Sequence, residues 1–474
     1  MEYYSLGKQS PNVNFKTATI TGQAPDKGLY FPTTIPQFTK EQIESFKTLD
    51  KASLAFEVMR PYVGGTIDDA SLKQICKETI DFEFPLVPIT SNIKALELFH
   101  GPTLAFKDVG ARFMSRCLGY FANVEKLEAS TTNIILEKTN QNNPIKASGV
   151  SQNTTVLVAT SGDTGGAVAN GFLGVEGVQV IILYPKGKVS PIQELQLTTC
   201  GQNITALEVD GSFDDCQAIV KEAFMDAALN TAYRLTSANS INVARWLPQQ
   251  LYYFFAWQQW VAQYGDNTPM HIVVPSGNFG NICAGMMAKA SGLPLGHFVA
   301  ACNENNVVTR YLNTGKYEVQ QSVVTISNAM DVGNPSNFVR ILEIMQNNFE
   351  QLKNALSSYS YDDISTQAAI TRVYNDYGYT LDPHGAVAFL AAEEFIHDHT
   401  HAITHYNHTV ESIPVHAIIL ETAHPVKFPE VVEEAIGHKL AIPASVQYLL
   451  DKPKKSIPLQ ADYAAFKFWM LKKI

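Results

Sequence analysis

The chain has 474 residues, 46% hydrophobic and 17% charged, with a formal net charge of -10 at pH 7. This composition fits a folded protein of about two to four domains and argues against a disordered one. The acidic excess argues against nucleic acid or an anionic membrane as the main partner, but leaves room for a local basic pocket that takes a phosphate.

The six cysteines are scattered, with no C-x-x-C pair, which points to a reduced, cytosolic protein. Met1 to Ser5 lacks a basic region followed by an apolar one, so no signal peptide is expected, and no apolar run is long enough to span a bilayer.

Residues 1–92 read as a small, mostly helical N-terminal domain. Phe31 to Pro36 is extended and turn-rich. Thr39 with Gln42 fits a capping box, and Ile43 and Phe46 open a helical face. A second helix is expected over Lys51 to Val63. A third follows Thr66, with Leu72, Ile75, Cys76 and Ile80 facing inward.

The stretch Leu98 to Asp108 places one lysine, Lys107, after an apolar Leu-Ala-Phe run and just before a helical pattern of Phe113, Met114, Cys117, Leu118 and Phe121. Gly101 and Pro102 supply the turn, and Asp108 suits a first helical turn. A lysine whose stem lies among apolar groups is disfavoured as an ammonium and becomes a better amine nucleophile. The ordinary alternative is a surface lysine with its head in water. The polar stretch 125–153 reads as a surface loop or insertion.

Strands and helices then alternate. Thr155 to Ala159, Val178 to Tyr184, Met270 to Pro275 and Val415 to Glu421 are near-continuous apolar runs, as in buried parallel strands. Three loops follow such runs. Thr160-Ser161-Gly162-Asp163-Thr164 precedes a helix and suits a carboxylate or phosphate at free backbone N–H groups, or is simply a tight turn. Ser276-Gly277-Asn278-Phe279-Gly280-Asn281 has the same character, and matches neither a P-loop nor a G-x-G-x-x-G fingerprint. Thr422 follows the last run, beyond the carboxyl end of its strand, where ligands of parallel sheets bind. Asn239, Ser240 and Arg245 join amide, hydroxyl and guanidinium, and Arg245 is suited to bidentate phosphate binding, or else to a surface ion pair or to stacking on Trp246. His397, His399, His401, His405 and His408 lie in a polar helix-end or loop stretch without metalloprotease order, and read as solvated with no metal. The tail Asp451 to Lys455 is expected at the surface.

Together these segments resemble the threonine synthase family, in its longer form with an extra N-terminal domain. The resemblance is carried by Gly28 to Pro32, Leu98 to Asp108, Ser161 to Gly165, Ser276 to Asn281, Ser327 to Asp331 with Asn334 to Asn337, Asp382 to Gly385, and Glu421 to Pro425. It implies an α/β chain of the tryptophan synthase β-like, pyridoxal-phosphate-dependent fold (fold type II), with parallel sheets flanked by helices. The expected domains are the N-terminal one, a larger cofactor-binding one from 93–116 plus 245–474, and a smaller one from 117–244.

By the same resemblance, Lys107 holds pyridoxal 5'-phosphate as an internal aldimine and then acts as the base near the substrate Cα. Ser276, Gly277, Asn278, Phe279, Gly280 and Asn281 hold the cofactor phosphate. Thr422 faces the ring nitrogen and Asp163 lies beside the ring. Thr160, Ser161, Gly162, Asp163 and Thr164 take the substrate carboxylate, and Asn239, Ser240 and Arg245 take its phosphate. The implied reaction converts O-phosphohomoserine and water to threonine and phosphate, in the cytoplasm, by a monomer or homodimer. A phosphohomoserine lyase or a threonine or serine dehydratase would share the lysine and the glycine loop. An inactive cofactor-binding paralogue and a nucleotide-binding protein are rivals from other classes; the intact Lys107 opposes the first and the lack of an acidic ribose-binding pattern the second.

Overall fold

The computed structural model describes residues 1–138, 153–406 and 415–472. The N-terminal region holds the expected helices. Lys40–Phe46 is closed by the Thr39/Gln42 capping box, and Lys51–Val63 and Asp69–Thr79 follow. It also contains an antiparallel sheet that periodicity did not reveal: β1 (Glu2–Ser5) between β2 (Val13–Asn14) and β3 (Tyr30–Pro32).

Strands β4 (Leu86–Pro88) and β5 (Ile93–Glu97) begin a larger sheet. Strands β6 (Thr154–Ala159), β7 (Val178–Pro185), β8 (Ile204–Asp210) and β9 (Arg234–Ser237) make a smaller one. The larger sheet continues with β10 (His271–Pro275), β11 (Phe298–Cys302), β12 (Leu356–Ser360) and β13 (Ala417–Glu421), and β14 (Ile457–Gln460) returns to the smaller. Their orders are β12-β11-β10-β13-β5-β4 and β14-β8-β7-β6-β9. Every pairing in these two sheets is parallel except β4 with β5. Parallel sheets need both faces covered, which is why these strands read as apolar runs.

Two expectations about the course of the chain are corrected. The first 14 residues of the polar stretch 125–153 are not a loop: Glu125 to Lys138 completes the helix Lys107–Lys138. Glu, Lys, Leu and Ala there are good helix formers, and Glu125 pairs with Lys16 at 3.1 Å and Arg234 at 2.8 Å. Residues 139–152 lie outside the described residues. The chain's end, assigned to the larger domain, adds β14 beside β8, and Leu459, Phe466 and Met470 enter the smaller sheet's core. Four residues with one buried position carried too little pattern to reveal that strand. The tail Asp451 to Lys455 is exposed, and Lys454 pairs with Glu194.

Of the histidine cluster, His397, His399, His401 and His405 fall on the helix Pro383–Tyr406, and His408 lies outside the described residues. His399 is not simply solvated. Its ring sits 3.9 Å from that of Phe395, and near His271 and His297 at the amino ends of β10 and β11. His271 Nδ1 accepts from the His297 backbone N–H at 3.1 Å, so it must be unprotonated there. Burial, followed by neighbouring histidines, pushes both rings down to about 4. A histidine depressed in the folded state takes up its proton on unfolding. Stability is therefore whole above pH 6.5 and falls as pH drops from 6.5 toward 4. Urea midpoints measured across that window should decline, and His297→Gln should flatten the decline. An unchanged slope would remove the histidines as its cause.

Candidate functional site

The Lys107 segment, the three loops and the Asn239 to Arg245 segment leave the carboxyl ends of parallel strands: β5, β6, β10, β13 and β9 respectively. That is where such sheets present free N–H groups and loops to a ligand. Lys107 opens the helix Lys107–Lys138, whose inner face is the expected set from Phe113 to Phe121, each at most 2% exposed. The turn before it is stitched to the exit of β13. The Phe106 N–H donates to the Thr422 carbonyl at 2.9 Å, and the His424 N–H to the Leu104 carbonyl at 3.0 Å. Leu104 sits at φ 58°, a left-handed conformation costing a leucine roughly 1 kcal/mol or more, which these bonds hold. Asp108 accepts from the Thr103 N–H and hydroxyl, and its burial raises its carboxyl above the usual range.

The Lys107 side chain is 18% exposed, with Nζ 3.7 Å from Asp163 Oδ2 and 5.4 Å from the Phe106 ring centre. Burial lowers its pKa, Asp163 opposes this, and Lys427 and Arg245 add to it. Asp163 begins the helix Asp163–Phe172 and is 2% exposed in its side chain. Burial alone would raise its carboxyl; the ammonium groups of Lys427 and Lys107 overcome this and hold it well below the usual carboxylate range. Gln193 Nε2 also donates to Asp163 Oδ1, at 3.0 Å.

Sequence reasoning missed Lys427. It is wholly buried, with Nζ 2.6 Å from Asp163 Oδ1, and it donates to the Thr103 carbonyl at 2.9 Å. The signal was the one used for Lys107, a lysine between apolar neighbours (Val426 and Phe428) just before a helix, Pro429–Ile436.

The loop after β10 makes an anion cradle. Phe279 takes φ 59°, and the helix Gly280–Ala290 starts with no side-chain cap, so no capping side chain satisfies its first N–H groups. A Cβ on Gly277 would lie 2.6 Å from the Met330 Cα, so only glycine fits there. Ser276 and Asn281, also expected to bind, are partly spent on the fold. The Ser276 hydroxyl donates to the Val274 carbonyl at 2.8 Å, and Asn281 Oδ1 accepts from Tyr253 at 2.9 Å, leaving Asn281 Nδ2 buried without a partner. Asn278 is a tie rather than a free ligand: it accepts from the Ser336 N–H and hydroxyl, and its Nδ2 donates to Ser240 Oγ at 2.8 Å.

That last bond joins the cradle to the segment after β9. Ser240 Oγ accepts from Asn337 as well, at 2.9 Å, which leaves its own proton to donate. Asn239 Oδ1 is buried without a partner. Arg245 is 3% exposed, and its Nε and Nη1 have no hydrogen-bond partner. Its backbone sits against the helix of Lys107, since a Cβ on Gly110 would lie 2.5 Å from the Arg245 carbonyl oxygen. Burial lowers its pKa to about 10, with Tyr252 and Asp108 opposing, so it stays charged at neutral pH. Two unsatisfied buried donors on a cation make Arg245 a candidate anion ligand.

In the loop after β6, Thr160 Oγ1 accepts from the N–H groups of Gly162 and Gly165, both at 2.9 Å, and so shapes the loop. Ser161 and Thr164 are half-buried at its rim, and Gly162 takes φ 139° against Gln193. Thr422 Oγ1 lies 3.3 Å from His384 Nδ1, which is itself 2.9 Å from Asp382 Oδ2. Behind them Glu421 is wholly buried. Burial and the adjacent Asp382 raise its carboxyl far above the usual range.

These residues fit pyridoxal phosphate. There is a half-buried lysine of weakened basicity, a helix start with no capping side chain, a threonine hydroxyl next to the turn that carries the lysine, and a buried cation with two unpartnered donors. Among the described residues no helix is long and apolar enough to cross a membrane.

Comparison with known proteins agrees over the whole chain. Residues 93–402 match the family described as pyridoxal-phosphate dependent enzyme, 2–80 match threonine synthase N terminus, and 386–469 match threonine synthase, C-terminal. Threonine synthase of Escherichia coli K12 is 38% identical over 473 residues, covering 99% of each chain. Its crystal structure superposes with a TM-score of 0.85 over 100% of both chains. A pyridoxal-phosphate-bound threonine synthase from Brucella melitensis gives 0.83 at 32% identity, over 99% of this chain and 98% of that one. The chain belongs to the threonine synthase family of pyridoxal-phosphate-dependent enzymes.

Proposed function

We propose that this chain converts O-phospho-L-homoserine and water to L-threonine and phosphate, the last step of threonine biosynthesis. The observation that carries the reading is Arg245, a buried cation with two unsatisfied donors beside the helix of Lys107. It provides a phosphate site separate from the glycine cradle, so the site takes a phosphorylated substrate as well as a phosphorylated cofactor.

When bound, pyridoxal phosphate supplies an electron sink conjugated to the substrate amine. Lys107 Nζ holds the cofactor, then removes and returns the proton at the substrate Cα. The N–H groups from Gly277 to Gly280 hold the cofactor phosphate, with Ser276, Asn278 and Asn281 fixing the loop. Thr422 would offer the ring nitrogen a neutral hydroxyl, which would limit charge build-up on the ring and suit elimination followed by replacement. Ser161, Gly162 and Thr164 orient the substrate carboxylate, with Thr160 shaping their loop and Asp163 beside the ring. Loss of a proton at Cβ would then expel the γ-phosphate, which Asn239, Ser240 and Arg245 would hold; Cγ takes up a proton, water adds its hydroxyl at Cβ and gives up its other proton, and the proton returned at Cα completes threonine. All six cysteines are unpaired, which suits work in the cytoplasm as a monomer or homodimer.

Incubation of the cofactor-loaded protein with O-phosphohomoserine tests this. Threonine and phosphate should appear in equal amounts. 2-Oxobutyrate with phosphate would move the function to the lyase, and turnover of threonine or serine without O-phosphohomoserine cleavage would move it to the dehydratase.

A further inference from the structure

Two lysines share one carboxylate at the centre of this site, and they share it unequally. Asp163 Oδ1 is 2.6 Å from Lys427 Nζ, whereas Asp163 Oδ2 is 3.7 Å from Lys107 Nζ. The side chains of Lys427 and Asp163 are 0% and 2% exposed, so water screens neither. Lys427 is fixed a second time by the Thr103 carbonyl at 2.9 Å, in the same turn that delivers Lys107. A buried ion pair rarely adds net stability compared with apolar side chains of like size, so its place beside a nucleophile calls for another reason.

We propose that Lys427 is a positioning residue that occupies the charge of Asp163, so that Lys107 works as an uncharged amine. The proposal rests on the reading of Lys107 as the cofactor lysine. A lone Asp163 carboxylate at 3.7 Å would stabilise Lys107 as an ammonium, which has no lone pair to attack a carbonyl or to take a proton. With Lys427 on the other oxygen, the pair is close to neutral as seen from Lys107, and burial then favours the free amine. The directions at each group agree: Asp163 acts on Lys107 against burial, while Lys427 and Arg245 act with it. His384 adds a further, smaller pull on Asp163. Asp163 remains ionised and fixed, with Gln193 and Lys427 on the same oxygen. In the proposal Lys427 acts through Asp163, which it contacts, and by its charge on Lys107.

The test reads the amine directly, without turnover. Full-length protein freed of cofactor is acetylated with trace acetic anhydride over a pH series, and Lys107 modification is followed by peptide mass spectrometry. Lys427→Met should move the labelling midpoint up, slowing Lys107 acetylation at neutral pH by about tenfold. Asp163→Asn should move it down. The double variant should return toward the parent, because the two charges removed are opposite, and Lys427→Arg should stay near the parent. A Lys427→Met midpoint equal to the parent's would overturn the proposal. So would a double variant as slow as Lys427→Met alone. If Lys427→Met fails to fold, Asp163→Asn and the double variant still carry the comparison. This readout is independent of whether Lys107 carries the cofactor. Turnover retained by Lys107→Ala would end that reading and leave the labelling result standing.

Discussion

Lys107→Ala will lower kcat by about a thousandfold or more, because it removes at once the amine that holds the cofactor and the base that moves the Cα proton. The substitution should leave the fold intact. The Lys107 side chain is 18% exposed, its contact with Asp163 is the looser of the two, and Lys427 still satisfies the carboxylate. The visible absorbance of the loaded protein should vanish, while phosphate-dependent cofactor binding at the Gly277 to Gly280 cradle persists in weaker form. A far-ultraviolet spectrum and melting temperature near the parent's would separate lost chemistry from lost structure. Measurable turnover by a folded Lys107→Ala protein would mean that another amine does this work, and Lys427, already buried beside Asp163, would be the first to examine.

What could be read in advance divides along physical lines. Lys107 and the three loops were legible because each is a local pattern: an apolar run, a short polar or glycine turn, then a helix. The central strands β6, β7, β10 and β13 were legible because burial on both faces writes a continuous apolar run. Strand β12, Leu-Ser-Ser-Tyr-Ser, has one fully buried residue and took its place at a sheet edge through backbone pairing with β11, which leaves no mark in side-chain pattern. Strand β14 is similar, at the edge of the smaller sheet. In the site, Asp163 and Arg245 were recognisable as charged groups in suitable places, but their electrostatic states were not. Asp163 is neutralised by a lysine far along the chain, and Arg245 is left with unsatisfied donors because no carboxylate reaches its Nε or Nη1. Likewise His384 and Asp382 stood in a recognised motif, yet their position behind Thr422 depends on a long helix packing across β13. Segments announce their own shape, whereas charge compensation is a property of pairs brought together by the fold.

Arg245→Gln should raise the KM for O-phosphohomoserine by about a hundredfold, equivalent to ~3 kcal/mol for a charge-assisted phosphate contact, with a much smaller change in cofactor affinity. Arg245→Lys should recover only part of this. One ammonium cannot place two donors where Nε and Nη1 stand, and the planar guanidinium fork is the feature that matches a phosphate. Stability should move the other way. A cation 3% exposed, with two donors unsatisfied, costs the folded state desolvation that Tyr252 and Asp108 only partly offset, so Arg245→Gln should melt no lower than the parent, and Arg245→Met higher. Gly110 strengthens the argument, since it lets the Arg245 backbone pack against the helix of Lys107 whatever side chain follows, and the segment should keep its course in the variants. Inorganic phosphate provides a second check: it should inhibit the parent competitively against O-phosphohomoserine and lose that effect in Arg245→Gln. A variant with unchanged KM and a lowered melting temperature would instead make Arg245 a structural cation, and the substrate phosphate would have to be held by Ser240 and Asn239 alone.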